Sequence, residues 1–258
     1  MFIDTHCHLH DAKLPDTDLV VNSYLRDGVD TVINMGCCSA TSIGGRDLAE
    51  KYPSVYFATG CHPSDVNTFD QKEFDIIKSL CSHPKCVAVG EIGLDYYWQP
   101  FDKEKQKKAF ISQIELAKSE KLPICIHSRD ATGDMLSILK DNKDKLTYGA
   151  VMHCFSGSVE TAKELLKLGL YISFAGPLTF KNARSVLDVA KIVPLDKCLT
   201  ETDSPFLAPH PLRGTVNEPK NVAITTAFLA KLRGIELIEF ASILSKNAQT
   251  LFYKLKAK

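Results

Sequence analysis

Residues 86–91 read CVAVGE, residues 103–121 read KEKQKKAFISQIELAKSEK, and residues 123–127 read PICIH. The first and last of these runs are short and almost continuously apolar, as are strands buried on both faces of a parallel sheet. The middle run spaces its apolar side chains three and four residues apart, from Phe110 to Ala117. Parallel neighbours need a long crossover, which a helix supplies. The stretch therefore predicts a strand–helix–strand unit.

The same alternation runs along the whole chain. Eight short apolar runs are predicted as strands, at 2–6, 31–35, 55–60, 86–91, 123–127, 149–153, 170–174 and 197–202. Helices are predicted at 18–27, 73–80, 103–121, 159–168, 217–234 and 235–256. Such repeats give either a closed (β/α)8 TIM barrel or a doubly wound open sheet. The count of eight and the length of 258 residues favour the TIM barrel, as a single α/β domain over 1–258.

Charge and cysteine content narrow the class of protein. Lys plus Arg and Asp plus Glu both number 31, so nucleic acid binding would need local cations rather than a bulk positive charge. Nine cysteines form no CxxC pair, which favours free thiols in a reducing compartment over disulfides or a four-cysteine zinc site. No apolar run reaches the ~18 residues of a membrane span, and the polar motif from residue 4 leaves no room for a signal peptide. We expect a cytoplasmic protein.

Histidines gather at the predicted strand ends. Five of the eight histidines lie there, among them His6 and His8, which are two positions apart. Side chains at i and i+2 of a strand point to the same side, so these two imidazoles face one spot. A lone strand histidine is more often a hydrogen-bonded core residue, but a pair at a strand end favours metal binding. In a TIM barrel this end of the strands carries the active site.

The strand ends supply six side chains of metal-ligand type. They are His6, His8, Glu91, His127, His153 and Asp203. Mixed imidazole and carboxylate ligands suit zinc, manganese or similar divalent ions. Six ligands exceed the four of one tetrahedral zinc, so the pattern predicts a two-ion site with Glu91 central enough to bridge the ions. Taken singly, Glu91 could instead form a salt bridge and Asp203 could cap a helix.

Ordered motifs along almost the whole chain resemble those of TatD-type deoxyribonucleases, which are amidohydrolase-like, metal-dependent hydrolases. The motifs are His6-x-His8, GEIGLDY at 90–96, IHSR at 126–129, HCFSG at 153–157 and ETDSPFL at 201–207. The resemblance implies a TIM barrel whose divalent-metal site has the six side chains as ligands. It also implies a DNA substrate, degraded 3′ to 5′ from single strands, with Asp203 and Glu91 as catalytic carboxylates and Asp203 as the proton acceptor.

The expected cofactor is a pair of divalent ions, Mg²⁺, Mn²⁺ or Zn²⁺, and three further residues are candidates to hold substrate phosphates. They are His62, Arg129 and Arg213, of which Arg129 stands two residues past a predicted ligand. A guanidinium fork matches phosphate oxygens, but Arg129 could equally pair with Asp95 or Asp130. The expected partner is DNA, as substrate, and the expected state is a monomer without a membrane anchor or an obligate protein partner.

An aromatic group follows Glu91 closely, at Tyr96, Tyr97, Trp98 and Phe101. Exposed aromatic side chains beside a nuclease site can stack on unpaired bases for ~1–3 kcal/mol per base. Aromatic clusters more often fill a core, so packing within the loop is the favoured interpretation.

One motif departs from the resemblance. Family members commonly have His-Pro-His after the third strand, whereas residues 62–65 read HPSD, which places Ser64 at the second histidine and puts substrate preference in doubt. Three alternatives to DNA hydrolysis stay open: a cyclic-amide hydrolase or deaminase, an esterase acting on aminoacyl-tRNA, and a non-catalytic metal-stabilised barrel. The first commonly bridges its metals with a modified lysine on the fourth strand, where this chain has Glu91.

Overall fold

The computed structural model describes residues 2–14 and 16–255 and forms one eight-stranded parallel sheet in chain order. The strands are β1 (Phe2–Cys7), β2 (Val29–Asn34), β3 (Val55–Thr59), β4 (Cys86–Asp95), β5 (Ile124–Arg129), β6 (Ala150–Met152), β7 (Tyr171–Phe174) and β8 (Cys198–Thr200). The sheet closes on itself because the His8 N–H donates to the Ser204 carbonyl at 2.7 Å and the Asp203 N–H donates to the His6 carbonyl at 2.9 Å. The predicted TIM barrel is confirmed.

Helices cover the outside of the barrel. They are α1 (Thr17–Arg26), α2 (Ser39–Lys51), α3 (Gln71–Leu80), α4 (Lys103–Ser119), α5 (Thr132–Asp141), α6 (Val159–Lys167), α7 (Arg184–Ile192), α8 (Val222–Arg233) and α9 (Leu237–Leu251). Three of them, α2, α5 and α7, were not predicted. The last predicted helix ends at residue 256, which lies outside the described residues.

Helix α2 shows why one helix escaped the pattern. Its sequence, SATSIGGRDLAEK, contains two glycines and several hydroxyl residues, which are weak helix formers. A Cβ on Gly45 would lie 2.8 Å from Nδ2 of Asn34 and 3.2 Å from Cβ of Phe57. Glycine therefore lets α2 lie close against β2 and β3, and this packing outweighs the low intrinsic preference for a helix.

Two strand boundaries matter for the site. Strand β4 continues past the predicted end at residue 91, pairing Gly93 with His127 and Asp95 with Arg129 of β5. Strands β6 and β8 are shorter than predicted, at three residues each. His153 and Asp203 consequently lie in the segments just beyond their strands, at the carboxyl end of the barrel.

Alternating side chains divide the apolar core into two layers. Outward-facing residues such as Phe57 and Ile126 pack under the helices, and inward-facing residues such as Ile33, Cys125 and Leu199 fill the barrel. The carboxyl end of α9 seals the interior on the side where the strands begin, with Ala248, Leu251, Phe252 and Leu255 in the interior layer. No helix among the described residues is long and apolar enough to cross a membrane.

Candidate metal centre at the carboxyl ends of the strands

The six predicted ligand side chains meet at the open end of the barrel. They come from five strands or strand ends: His6 from β1 and His8 just after it, Glu91 from β4, His127 from β5, His153 after β6 and Asp203 after β8. His6 is fully buried, and His8, Glu91 and His153 expose less than a tenth of their surface. Four imidazoles and two carboxylates so close together need a shared cation or a network of protons.

Glu91 lies between two groups of imidazoles. Its Oε1 lies 2.9 Å from Nδ1 of His127 and 2.9 Å from Nε2 of His153. Its Oε2 lies 3.3 Å from Nε2 of His6 and 3.6 Å from Nε2 of His8. Each carboxylate oxygen therefore faces its own pair of ring nitrogens.

Asp203 completes the group around His6 and His8. Its Oδ1 lies 3.6 Å from Nε2 of His6 and 3.4 Å from Nε2 of His8. Its backbone adopts a φ of 57°, and Cys154, next to His153, adopts a φ of 41°. Residues other than glycine seldom adopt this left-handed region, and such strain is concentrated at functional sites. Both residues lie in the segments just beyond β6 and β8, beside or at a predicted ligand.

Two carboxylates orient imidazoles from behind. Oδ2 of Asp95 lies 2.9 Å from Nε2 of His127, and Oε1 of Glu201 lies 3.2 Å from Nδ1 of His153. Ligating histidines in metalloproteins almost always present the second ring nitrogen to such a partner. Asp95 and Glu201 lie within the GEIGLDY and ETDSPFL motifs, but the sequence did not predict that they orient imidazoles at the site. The available signal was their spacing from a ligand-type residue: Asp95 follows Glu91 by four residues, and Glu201 precedes Asp203 by two.

The other two imidazoles have thiol neighbours. Sγ of Cys125 lies 3.4 Å from Nδ1 of His6, and Sγ of Cys37 lies 3.9 Å from Nδ1 of His8. All four imidazoles thus turn one nitrogen to the centre and the other to a side chain that can fix the ring. This arrangement was also missed, because spacing along the chain does not show which buried cysteine faces which ring.

Electrostatics favour a cation in the centre. Burial opposes ionisation of Glu91, but the nearby imidazoles of His153 and His6 outweigh it and hold the pKa of Glu91 well below its usual value. Burial also disfavours a charged His153, yet Glu91 and Glu201 raise the pKa of His153 well above its usual value. Glu91 is therefore ionised, and it draws positive charge towards the imidazoles.

The donor set fits divalent metal ions. One ligand atom each from His6, His8 and Asp203 lies within 4.8 Å of the others, and the same holds for His62, Glu91 and His127. Imidazole nitrogens combined with carboxylate oxygens suit zinc, manganese and similar ions. The residues at the barrel mouth can hold such ions without any change in which side chains face the centre.

The three predicted phosphate-binding residues have different positions. Nε2 of His62 lies 3.7 Å from Oε1 of Glu91, and burial lowers the pKa of His62 to about 3, so its imidazole is neutral. Arg129 lines the central cavity, whereas Arg213 is exposed with its guanidinium 4.5 Å from the ring of Phe180. Arg213 is not among the described residues that line this cavity. The structure therefore brings His62 and Arg129 to the centre and leaves Arg213 outside it.

The central cavity has a volume of about 470 Å³ and opens to solvent. His8, Glu91, His127 and Asp203 lie at its base. Its lining also includes Asp65, while Ser64, the residue that departs from the resemblance, is exposed on the short turn Pro63–Asp65. The cavity is wide enough for a nucleotide-sized group beside the candidate metal centre.

Known proteins resemble this chain along almost its whole length. The family model described as TatD related DNase matches residues 3–253. The uncharacterized metal-dependent hydrolase YabD of Bacillus subtilis is 43% identical over 98% of this chain and 99% of its own length, and YcfH of Escherichia coli, described in the same words, is 38% identical over 97% and 95%. The crystal structure of YJJV, a TatD homolog of Escherichia coli, superposes with a TM-score of 0.93 at 32% identity, covering 98% of both chains.

Proposed function

Because the chain belongs to the TatD family of metal-dependent hydrolases, we propose that it hydrolyses the phosphodiester bonds of DNA and removes nucleotides from the 3′ ends of single strands. The proposed cofactor is two divalent ions, Mg²⁺, Mn²⁺ or Zn²⁺, held by the six side chains at the barrel mouth. The observation that carries the proposal is the position of Glu91, whose two oxygens face separate pairs of imidazole nitrogens. In this position Glu91 would hold divalent ions together with the imidazoles on either side of it.

The proposed reaction assigns the base to Asp203. Bound divalent ions lower the pKa of a water from ~15.7 towards ~7 and offset charge on a phosphate. Burial raises the pKa of Asp203, but His8, His6 and His153 outweigh it and keep the carboxyl ionised. Asp203 accepts the proton of the attacking water, whose oxygen forms a bond to phosphorus while the bond to the leaving nucleotide oxygen breaks.

Other side chains position the substrate in this scheme. Arg129 lies at the cavity wall and directs its donors towards phosphate oxygens. His62, which is neutral, offers a ring nitrogen beside Glu91, either to a phosphate or to an ion. Arg213 is not included, because its guanidinium rests on Phe180 outside the cavity.

The setting proposed for the enzyme follows from its thiols. All nine cysteines are free, and six of them are buried. Unpaired thiols in this number suit a reducing compartment, so the proposed location is the cytoplasm. The proposed oligomeric state, a monomer, does not depend on the thiols.

The test is a substrate panel. Purified protein stripped of metal and reloaded with Mg²⁺, Mn²⁺ or Zn²⁺ is given 5′-labelled single-stranded DNA, the matching RNA and an aminoacyl ester. We expect the DNA to shorten one nucleotide at a time with at least one metal, and we expect a chelator to abolish this activity. Hydrolysis of the ester without cleavage of either nucleic acid would show that the proposed substrate is wrong.

A further inference from the structure

Two aromatic side chains stand exposed beside the candidate metal centre. Tyr97 exposes 49% and Trp98 exposes 61% of its surface, although both follow a fully buried strand. Their rings are 4.8 Å apart and at right angles. We call this pair the aromatic ledge. Contiguous exposed apolar surface at a cavity is a feature of ligand-binding grooves.

The ledge carries positive charge on one face. The guanidinium carbon of Arg129 lies 3.6 Å from the ring centre of Tyr97 and 5.3 Å from that of Trp98. The oxygens of Asp95 face His127 and the N–H groups of Tyr97 and Trp98. The guanidinium of Arg129 lies over the rings. Its charge remains available at the cavity wall, next to the rings.

One carboxylate fixes the ledge relative to the metal centre. Oδ1 of Asp95 accepts the backbone N–H groups of Tyr97 at 2.9 Å and of Trp98 at 3.3 Å. The other oxygen of Asp95 lies 2.9 Å from Nε2 of His127, whose second nitrogen faces Glu91. The ledge and a candidate metal ligand are therefore held by the same side chain, and their separation is set in advance of binding.

A second aromatic side chain of the cavity lining also has a cation beside it. Phe206 exposes 38% of its surface and lies 6.0 Å, ring to ring, from His8. Nζ of Lys13 lies 4.5 Å above the Phe206 ring. The cavity lining thus includes two aromatic rings that each lie near a cation, Trp98 near Arg129 and Phe206 near Lys13, a combination that suits planar bases and phosphates.

We propose that the aromatic ledge stacks on an unpaired base next to the scissile phosphate and thereby restricts the enzyme to strand ends whose bases are free. This inference rests on the proposed function and extends it to the choice of substrate. A base in a duplex stacks on its neighbours and cannot offer its face to Trp98 at the same time. Stacking on protein aromatics is worth ~1–3 kcal/mol per base and tolerates any sequence.

The first experiment pairs a side-chain change with a base change. Wild-type protein and Trp98→Ala are assayed on a single-stranded oligonucleotide and on two copies that are abasic at the last or the second-last 3′ position. We expect Trp98→Ala to raise KM for the intact strand by about 5- to 100-fold. For one of the two abasic strands, wild type and variant should have the same KM. Trp98→Phe should keep most of the wild-type affinity, and Ile238→Ala, an exposed apolar residue of α9, is the control.

The second experiment measures stacking without catalysis. Trp98 is the one tryptophan of the chain, so its fluorescence reports on the ledge alone. Metal-loaded Asp203→Asn titrated with the intact oligonucleotide should show quenching, and the matching abasic strand should quench far less. A blunt duplex of the same sequence should quench less than a duplex with a 3′ overhang.

The outcomes separate the two proposals. An equal loss on intact and abasic strands would assign Trp98 a structural role and overturn the ledge while leaving DNA hydrolysis intact. If the wild type cleaves no nucleic acid, the proposed function fails, and fluorescence then decides on the ledge by itself. Quenching that is the same with and without the base would overturn the ledge in either case.

Discussion

The two ends of the barrel differ in the side chains that they bury: ionisable ones at the carboxyl ends of the strands and apolar ones at the other end. At the carboxyl ends of the strands, buried imidazoles and carboxylates such as His6 and Glu91 crowd together and strained backbone is tolerated. At the other end, α9 inserts Leu251 and Phe252 into an apolar interior, and Lys254 donates to two carbonyls of the loop before β4. Burial destabilises the ionisable side chains at the carboxyl end unless a cation or another partner compensates. Burial stabilises the apolar side chains at the other end.

This difference assigns stability and chemistry to separate places. A carboxylate inside a barrel costs free energy unless it is paired, so its presence at the mouth needs a chemical reason. The sealed end needs no such reason, since burial of apolar surface is favourable by itself. Substitutions at the mouth should therefore change activity more than stability, and substitutions at the sealed end should do the reverse.

The largest effect is expected from Asp203→Asn. The amide keeps the shape of the side chain but cannot accept the proton of the attacking water. We expect kcat on single-stranded DNA to fall by about 10²–10⁴-fold, with little change in the thermal unfolding midpoint. Asp188→Asn, an exposed carboxylate paired with Lys191 on α7, is the control and should keep full activity. A variant at 203 that retained wild-type kcat would remove the proposed base.

At the sealed end, Phe252→Ala should cost about 3–5 kcal/mol of unfolding free energy, because Phe252 is fully buried and the change leaves a cavity. Chemical denaturation measures the loss. The activity per folded molecule should stay at the wild-type level. Tyr253→Ala, the half-exposed aromatic neighbour, should lose much less stability. Equal losses at 252 and 253 would contradict the seal described for α9.

The smallest effect is expected behind the metal centre. Glu201 is buried and accepts the Cys154 N–H at 2.7 Å and the Ser173 hydroxyl at 2.6 Å while orienting His153. Glu201→Gln should weaken metal binding by about 10–100-fold, as loss of an outer-shell carboxylate typically does. Calorimetric titration of metal into stripped protein measures this, with Glu239→Gln on α9 as control. Unchanged affinity would mean that His153 needs no such partner.

Pattern alone predicted the barrel and all six side chains that meet at its mouth. It succeeded because the ends of β1, β4, β5, β6 and β8 each carry a separate signal, a ligand-type residue at or just after an apolar run. It failed where orientation decides. Asp95 and Glu201 are acidic residues in quoted motifs, yet only the fold shows that they face His127 and His153 from behind.

The aromatic segment after β4 shows the same limit within a few residues. Loop packing was the favoured interpretation for the whole group, and it is right for Tyr96, which stacks on Phe101 at 5.3 Å and donates to Asp134. It is wrong for Tyr97 and Trp98, which are exposed. All these side chains are aromatic, so residue type does not distinguish the packed ones from the exposed ones. The difference is that the N–H groups of Tyr97 and Trp98 donate to Asp95. The position of Arg213 likewise depends on the path of its loop, which brings the guanidinium to Phe180 and not to the cavity. Residue type alone does not reveal this.

Closure of the barrel also sets the order of events during synthesis. The Thr5 hydroxyl donates to the Thr200 carbonyl at 3.0 Å across 195 residues of chain, and His6 meets Asp203 a few residues further on. At about 5–20 residues per second, roughly 10–40 s separate the emergence of these two ligands from the ribosome. During this time β1 cannot pair with the segment after β8, and Asp203 is not yet present beside His6 and His8. A site that includes both His6 and Asp203 can therefore be completed only after the residues of β8 have been synthesised.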